Sequence, residues 1–299
     1  MATKQKSRNR RPSTRERGPR YVEPVLDPTW QSPYMPSAEE REANGAAVRH
    51  YAWRRRMPVT IGVGVVVVAL VVGALVSPWL AVLGLVLGAF YGWDLYRSFD
   101  RLDRLGAGAG DSVAQLVREG GSTHDRQRLA TVVDRLSATF GVDGVTALIV
   151  DDEGYNATLM RRGGAPALFV TSALLRDFEL IELEGVVAHC LARQRLGLVE
   201  RQCVAASGSL DDTARRSLAG IGQCYRADEV AGAAIRYPLG LASALHRCAD
   251  QEPQPGSYFS SPAFSTTRWS WFNPFADRTS TDLSDLDDPL LRALALEEW

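Results

Sequence analysis

Any chemistry this chain performs has to come from a short set of side chains in its second half. Four cysteines occur, Cys190, Cys203, Cys224 and Cys248, and His189 stands directly before Cys190. A histidine beside a thiol can lower the thiol pKa and create a nucleophilic or redox-sensing site. On a helix, however, successive side chains diverge, so Cys190 points away from where His189 points. Adjacency alone therefore favours a buried, hydrogen-bonded histidine among small buried thiols. No CxxC pair occurs, and in a cytosolic domain these cysteines are reduced thiols rather than staples. The GAGAG run at 106–110 lacks the preceding soluble strand that a nucleotide loop needs. Asn156-Ala157-Thr158 matches a glycosylation sequon, which carries no meaning on the cytosolic side.

The elements that must position these residues divide the 299-residue chain into four stretches. Net charge is −1 overall, yet residues 1–20 carry Lys4, Lys6, Arg8, Arg10, Arg11, Arg15, Arg17 and Arg20 against Glu16 alone. Residues 1–37 cannot bury a core and read as a disordered basic tail whose natural partner is anionic lipid, each basic residue contributing on the order of 1 kcal/mol. No aromatic or groove-reading element accompanies that charge, so nucleic acid is not expected. Residues 38–56 read as a juxtamembrane segment with a short helix from Ala38 to Arg54. Residues 57–96 read as a transmembrane hairpin. The uncharged run between Arg56 and Asp94 is too long for one ordinary span and fits two, and Ser77-Pro78 breaks it near the middle. Arg54, Arg55 and Arg56 precede it and Arg97, Arg101 and Arg104 follow it, which places both termini in the cytosol. Gly84, Gly88 and Gly92 repeat four apart, a face suited to close contact with the first span or with a second copy in a homodimer.

Residues 97–299 read as one domain. Leu102–Ser112 reads as a Gly/Ala-rich linker. From His124 to Phe140 apolar residues recur at helical spacing, ended by Gly141. Three short strands, 146–150, 156–160 and 167–171, predict a small antiparallel meander separated by Asp-Glu-Gly and Arg-Gly-Gly turns. A long helix over 180–196, a polar loop around 207–212, and helices over 224–235 and 239–248 follow. The closing region clusters Trp269, Trp271, Phe272 and Phe275 as a loop over the core, before a last helix from Pro289.

These segments carry a resemblance. VTSALLRDFELIELEGVVAHCLAR at 170–193, CYRADEVA at 224–231 and YPLGLASAL at 237–245 are similar to the HtpX-type membrane zinc metallopeptidases, relatives of the CAAX prenyl proteases among the gluzincins. The likeness runs from about Arg126 to Arg247 and includes the layout of hairpin followed by cytosolic domain. It implies an α+β zincin fold with a small antiparallel sheet and several helices. In that family two His one turn apart hold zinc, a Glu after the first activates water, and a later Glu completes the set. Position by position, His189 keeps the first ligand, Cys190 replaces the catalytic Glu, Arg193 the second His, and Cys224 the Glu ligand. Asp228 matches an acid that supports the ligands from behind. Asn156 and Ala157 match the edge along which family substrates lie.

The substitutions imply loss of activity. Two donors are too few for catalytic zinc, and Arg193 is always protonated, so it would repel a metal and could replace its charge. The expectation is therefore a catalytically silent domain in the bacterial cytoplasmic membrane, without zinc, that binds a peptide or protein partner in membrane quality control. Arg193 is expected to pair with Asp228. The alternative is a working enzyme, either a metalloendopeptidase with an altered zinc ligand set or a thiol-dependent one.

Overall fold

The structure, a computed structural model, describes residues 34–76, 78–206, 212–252, 254–277 and 287–299. The basic tail, most of the polar loop at 207–212, and the side chains of Arg54, Arg55, Arg56, Arg97, Arg101 and Arg104 lie outside the described residues. The fold is mixed α+β, mostly helical around one three-stranded sheet.

Two 39-residue helices open the chain, α1 (Ala38–Val76) and α2 (Pro78–Leu116), packed on each other. The short helix expected to stop at Arg54 instead continues through α1, across Pro58, to Val76. The expected linker at 102–112 is likewise helix, the last third of α2. Glycine tolerates it because the helix lies against the sheet: a Cβ at Gly110 would sit 2.6 Å from the Arg161 carbonyl oxygen. Weak helix propensity there is overridden by close packing. Among the described residues no helix is long and apolar enough to cross a membrane. Many apolar side chains of α1 and α2 face outward, including Val65, Val68, Leu75, Trp79, Leu85 and Phe90, with Leu75 83% exposed. Gly84 and Gly88 face inward to α1, where a Cβ would meet Leu70 Cγ at 2.9 Å and Val66 Cγ1 at 3.0 Å. Gly92 has nothing within 4 Å.

Helix α3 (Thr123–Phe140) begins with a capping box, in which Ser122 Oγ accepts from Asp125 N–H (3.1 Å) while Ser122 N–H donates to Asp125 Oδ2 (2.9 Å). It ends at Gly141 in the left-handed conformation, φ 60°. The strands are β1 (Thr146–Val150), β2 (Ala157–Arg162) and β3 (Ala165–Thr171), in sheet order β1-β3-β2. This corrects the expected meander. The hairpin β2–β3 is antiparallel through Gly163 and Gly164, but β1 lies beside β3 and parallel to it, Thr146 opposite Ala167 and Val150 opposite Thr171. Local turn chemistry cannot reveal this, since the loop 151–156 carries the chain over β3's position before it turns back.

Helix α4 (Ser172–Asp177) leads to α5 (Leu180–Arg195), buried along most of its length. Its capping Glu182 accepts at Oε2 from Glu179 N–H (2.8 Å) and at Oε1 from Arg247 Nε (2.8 Å) and Ser243 Oγ (2.6 Å). Helices α6 (Leu198–Ala205), α7 (Asp212–Leu218), α8 (Gln223–Ile235) and α9 (Pro238–Asp250) follow. Glycine sets the α5–α9 crossing: a Cβ at Gly185 would lie 2.8 Å from Leu241 Cα, and one at Gly240 2.8 Å from the Ile181 carbonyl oxygen. A short α10 (Pro262–Thr267) and the segment 268–277 wrap back over the sheet before α11 (Pro289–Glu297) closes the fold against α9 and α8.

Candidate functional site

Three helices and one returning segment converge on His189. It and Arg193 stand one turn apart on α5, so both project from the same face, and both are almost completely buried. Helix α8 brings Asp228, α6 brings Gln202, and α11 brings Arg292. His189 Nδ1 lies 2.6 Å from Asp228 Oδ1. Arg292 clasps the same carboxylate, Nε to Oδ2 at 2.7 Å and Nη2 to Oδ1 at 2.9 Å, and donates from Nη1 to the Phe272 carbonyl oxygen at 2.7 Å. Its guanidinium sits over the Phe272 ring, 5.0 Å from the centroid.

The expected pair of Arg193 with Asp228 is therefore replaced by Arg292 with Asp228. Arg193 instead donates Nε to Gln202 Oε1 (2.6 Å) and Nη1 to the Ser270 carbonyl oxygen (2.5 Å), with Nη2 also on Gln202. Among the described residues none of its partners is a carboxylate. The reason is tertiary. A second arginine from the far C-terminus reaches Asp228 with a bidentate fork, which is stronger and more directional than a single contact. Sequence reasoning missed Arg292, Gln202 and Asn273. The one local hint was a lone Arg within the otherwise apolar run 290–296.

Burial dominates the electrostatics. It lowers the His189 pKa to about 4 in spite of Asp228, and the nearby Arg292 and Arg193 add to the effect. The imidazole is neutral, its Nδ1 proton held by Asp228, and Nε2 is buried without a hydrogen-bond partner among the described residues. Burial pulls Asp228 upward, but Arg292 and then His189 outweigh it and hold the carboxylate below its ordinary value. Burial raises Cys190 and Cys203 to about 11 and Cys224 and Cys248 to about 12. All four stay protonated at neutral pH, including Cys224, which is half-buried as a whole residue.

The donor set does not suit zinc. Among the described residues no group of three or more His, Cys, Asp or Glu side chains converges as a metal site would require. Arg193 carries fixed charge beside the imidazole, and the thiols resist the deprotonation that metal binding demands. Phe272 packs against the imidazole, its ring meeting the His189 ring edge-on at 5.1 Å.

The expected peptide edge at Asn156 and Ala157 is occupied by the chain itself. Both residues are fully buried. Phe272 N–H donates to the Ala157 carbonyl oxygen (2.8 Å), Thr158 Oγ1 donates to the Ser270 carbonyl oxygen, and the Asn156 amide brackets Asn273, donating to its carbonyl oxygen (2.8 Å) and accepting from its N–H (2.9 Å). Trp271 anchors this segment among Tyr258, Phe259 and Phe264. Two grooves lie elsewhere, one of about 470 Å³ at the C-terminal end of β1 beside Tyr258 and Pro262, and one of about 300 Å³ between β1 and α3. No family model, curated protein or solved structure matches this chain.

Proposed function

We propose that this chain is a membrane-anchored, catalytically silent relative of the HtpX-type metallopeptidases that binds a peptide or protein partner at the membrane surface. The observation that carries the reading is the filled pocket. Where a zinc peptidase needs open metal coordination and a free strand edge, this chain has Arg193 bound to Gln202 and Ser270, and Phe272 against His189. His189 is fully buried with Phe272 against it, which argues against the open coordination position that catalytic zinc keeps for water. Loss of a general base alone typically costs about 10²- to 10⁴-fold, and a thiol held near pKa 11 at Cys190 does not replace it.

Anchoring rests on α1 and α2. Their outward apolar side chains, Val65, Val68, Leu75, Trp79 and Leu85 among them, are well exposed, and a bilayer would cover them. The flanking arginines support a bacterial cytosolic location for both termini, which would set the basic tail beside anionic lipid. Because α2 runs unbroken into its contact with β2, the domain would sit close to the bilayer.

Metal analysis of the purified full chain tests the chemistry. The expected result is substoichiometric zinc that His189→Ala leaves unchanged, and no cleavage of casein in zinc-containing buffer. Stoichiometric zinc lost on His189→Ala would overturn the reading. Anchoring predicts that the chain resists alkaline carbonate extraction and that deleting residues 57–93 releases it.

A further inference from the structure

The sheet has a second edge, and it is half open. β1 bonds to β3 through its even-numbered residues, so the N–H and C=O of its odd-numbered residues point outward. The chain's own segment 118–120 covers one end: Gly120 N–H donates to the Ile149 carbonyl oxygen (3.0 Å) and Asp151 N–H to the Arg118 carbonyl oxygen (2.8 Å). It then leaves the edge at Gly121, φ 82°, and Ser122 caps α3. The N–H and C=O of Ala147 are left without a main-chain partner among the described residues. Beside them lies the groove of about 300 Å³, floored by Leu129 and Val133 of α3 and walled by Val145, Ala147 and Ile149. Asp134 stands exposed on its rim toward the start of β1, and Glu119, 69% exposed, on the rim at the other end, with Arg126 beside it.

We propose that this β1 edge is the partner site, taking a short extended peptide that pairs with Ala147, sets an apolar side chain over Leu129 and Val133, and places a Lys or Arg over Asp134. The inference rests on the partner-binding half of the proposed function and relocates it from the closed β2 edge. Extended peptides add to a sheet edge through main-chain bonds, while alternate side chains read the flanking pocket. The floor is apolar, and since Glu119 lies 4.0 Å from Arg162 and shares the rim with Arg126, Asp134 is the carboxylate that favours a basic over an acidic segment. Pairing at Ala147 also completes a strand row that segment 118–120 begins.

The test uses the full chain in a neutral detergent and a dye-labelled, end-blocked hexapeptide of alternating valine and lysine, followed by fluorescence anisotropy. Saturable binding is expected, weakened at least tenfold by Ala147→Pro, which removes an outward N–H without touching the β3 ladder. Asp134→Lys should weaken it several-fold, and a valine–glutamate hexapeptide should not bind. Hydrogen exchange over residues 145–149 should slow when the peptide is present. Equal affinity for Ala147→Pro, or for a peptide N-methylated at alternate residues, overturns the inference. So does a concentration-dependent dimer that excludes the peptide, because the edge would then pair with a second copy. Absence of binding without cleavage leaves the silent-domain reading intact, whereas cleavage of the hexapeptide overturns that reading instead.

Discussion

The β2 edge is sealed by four residues of the same chain, 270–273, whose main chain is held by Asn156, Thr158, Arg193 and Arg292. The β1 edge is covered only as far as Gly120, and Ala147 faces a groove. The two edges differ in what lies behind them. Behind β2 stand two buried arginines that need acceptors, and the carbonyl oxygens of Ser270 and Phe272 supply them. Behind β1 stands the amphipathic α3, whose needs are met within its own turns by the Ser122 cap. An unsatisfied buried cation recruits main chain, and a capped helix does not. The arginines of the β2 side differ in turn, since Arg292 neutralises Asp228 and Arg193 meets neutral oxygens only.

Arg292→Met should give the largest effect. It leaves Asp228 buried with one neutral partner and frees the Phe272 carbonyl, so a loss of about 3–5 kcal/mol is expected in urea unfolding of the full chain in micelles. A loss under 1 kcal/mol would mean the β2 edge does not depend on this clasp. Acid should act next. The unfolded chain takes up a proton at His189 near 6.5, the folded chain only near 4, so stability present above 6.5 is lost as pH falls toward 4. Protonation of Asp228 continues the loss at lower pH, since its pKa is also depressed. In His189→Phe the slope between 6.5 and 4 should flatten, and an unchanged slope would remove His189 from the account.

Asn156→Ala should cost about 1–3 kcal/mol by stranding the N–H and C=O of Asn273. A thermal melt indistinguishable from the parent's would show that water replaces them. Arg193→Met is expected to lie within about 2 kcal/mol of the parent, because relief of a desolvated cation offsets the orphaned Gln202 Oε1, while the Ser270 carbonyl keeps its bond from Thr158. If it instead matches Arg292→Met, the two arginines are equivalent and the contrast between them fails. Ala147→Pro should change stability least, within about 1 kcal/mol, since its N–H leaves the ladder to β3 untouched. A large loss would show that the β1 edge is paired after all.

Elements of strong local period were legible before any tertiary information. α3 with its Gly141 stop, the three strands, α5, α8, α9 and the helix from Pro289 all fall within a few residues of their expected places. Their signals are local: spacing of apolar residues, caps and turn glycines. The 102–112 segment was not legible, because only contact with Arg161 explains helix through three glycines. Nor was the parallel pairing of β1, which depends on a crossover rather than on a turn.

The candidate site divides in the same way. The types of residue at 189, 190, 193 and 224 are sequence facts, and they alone argue against a zinc set, because charge and ligand chemistry do not depend on where the chain goes. Which acid partners which arginine, and whether the β2 edge is free, were decided by residues 64 and more than 100 positions away, Arg292 on Asp228 and Asn273 on Asn156. Sequence spacing reports neighbours along a helix or strand. The desolvation that makes His189 neutral and drives Arg193 onto carbonyl oxygens exists only once the whole core has closed around them.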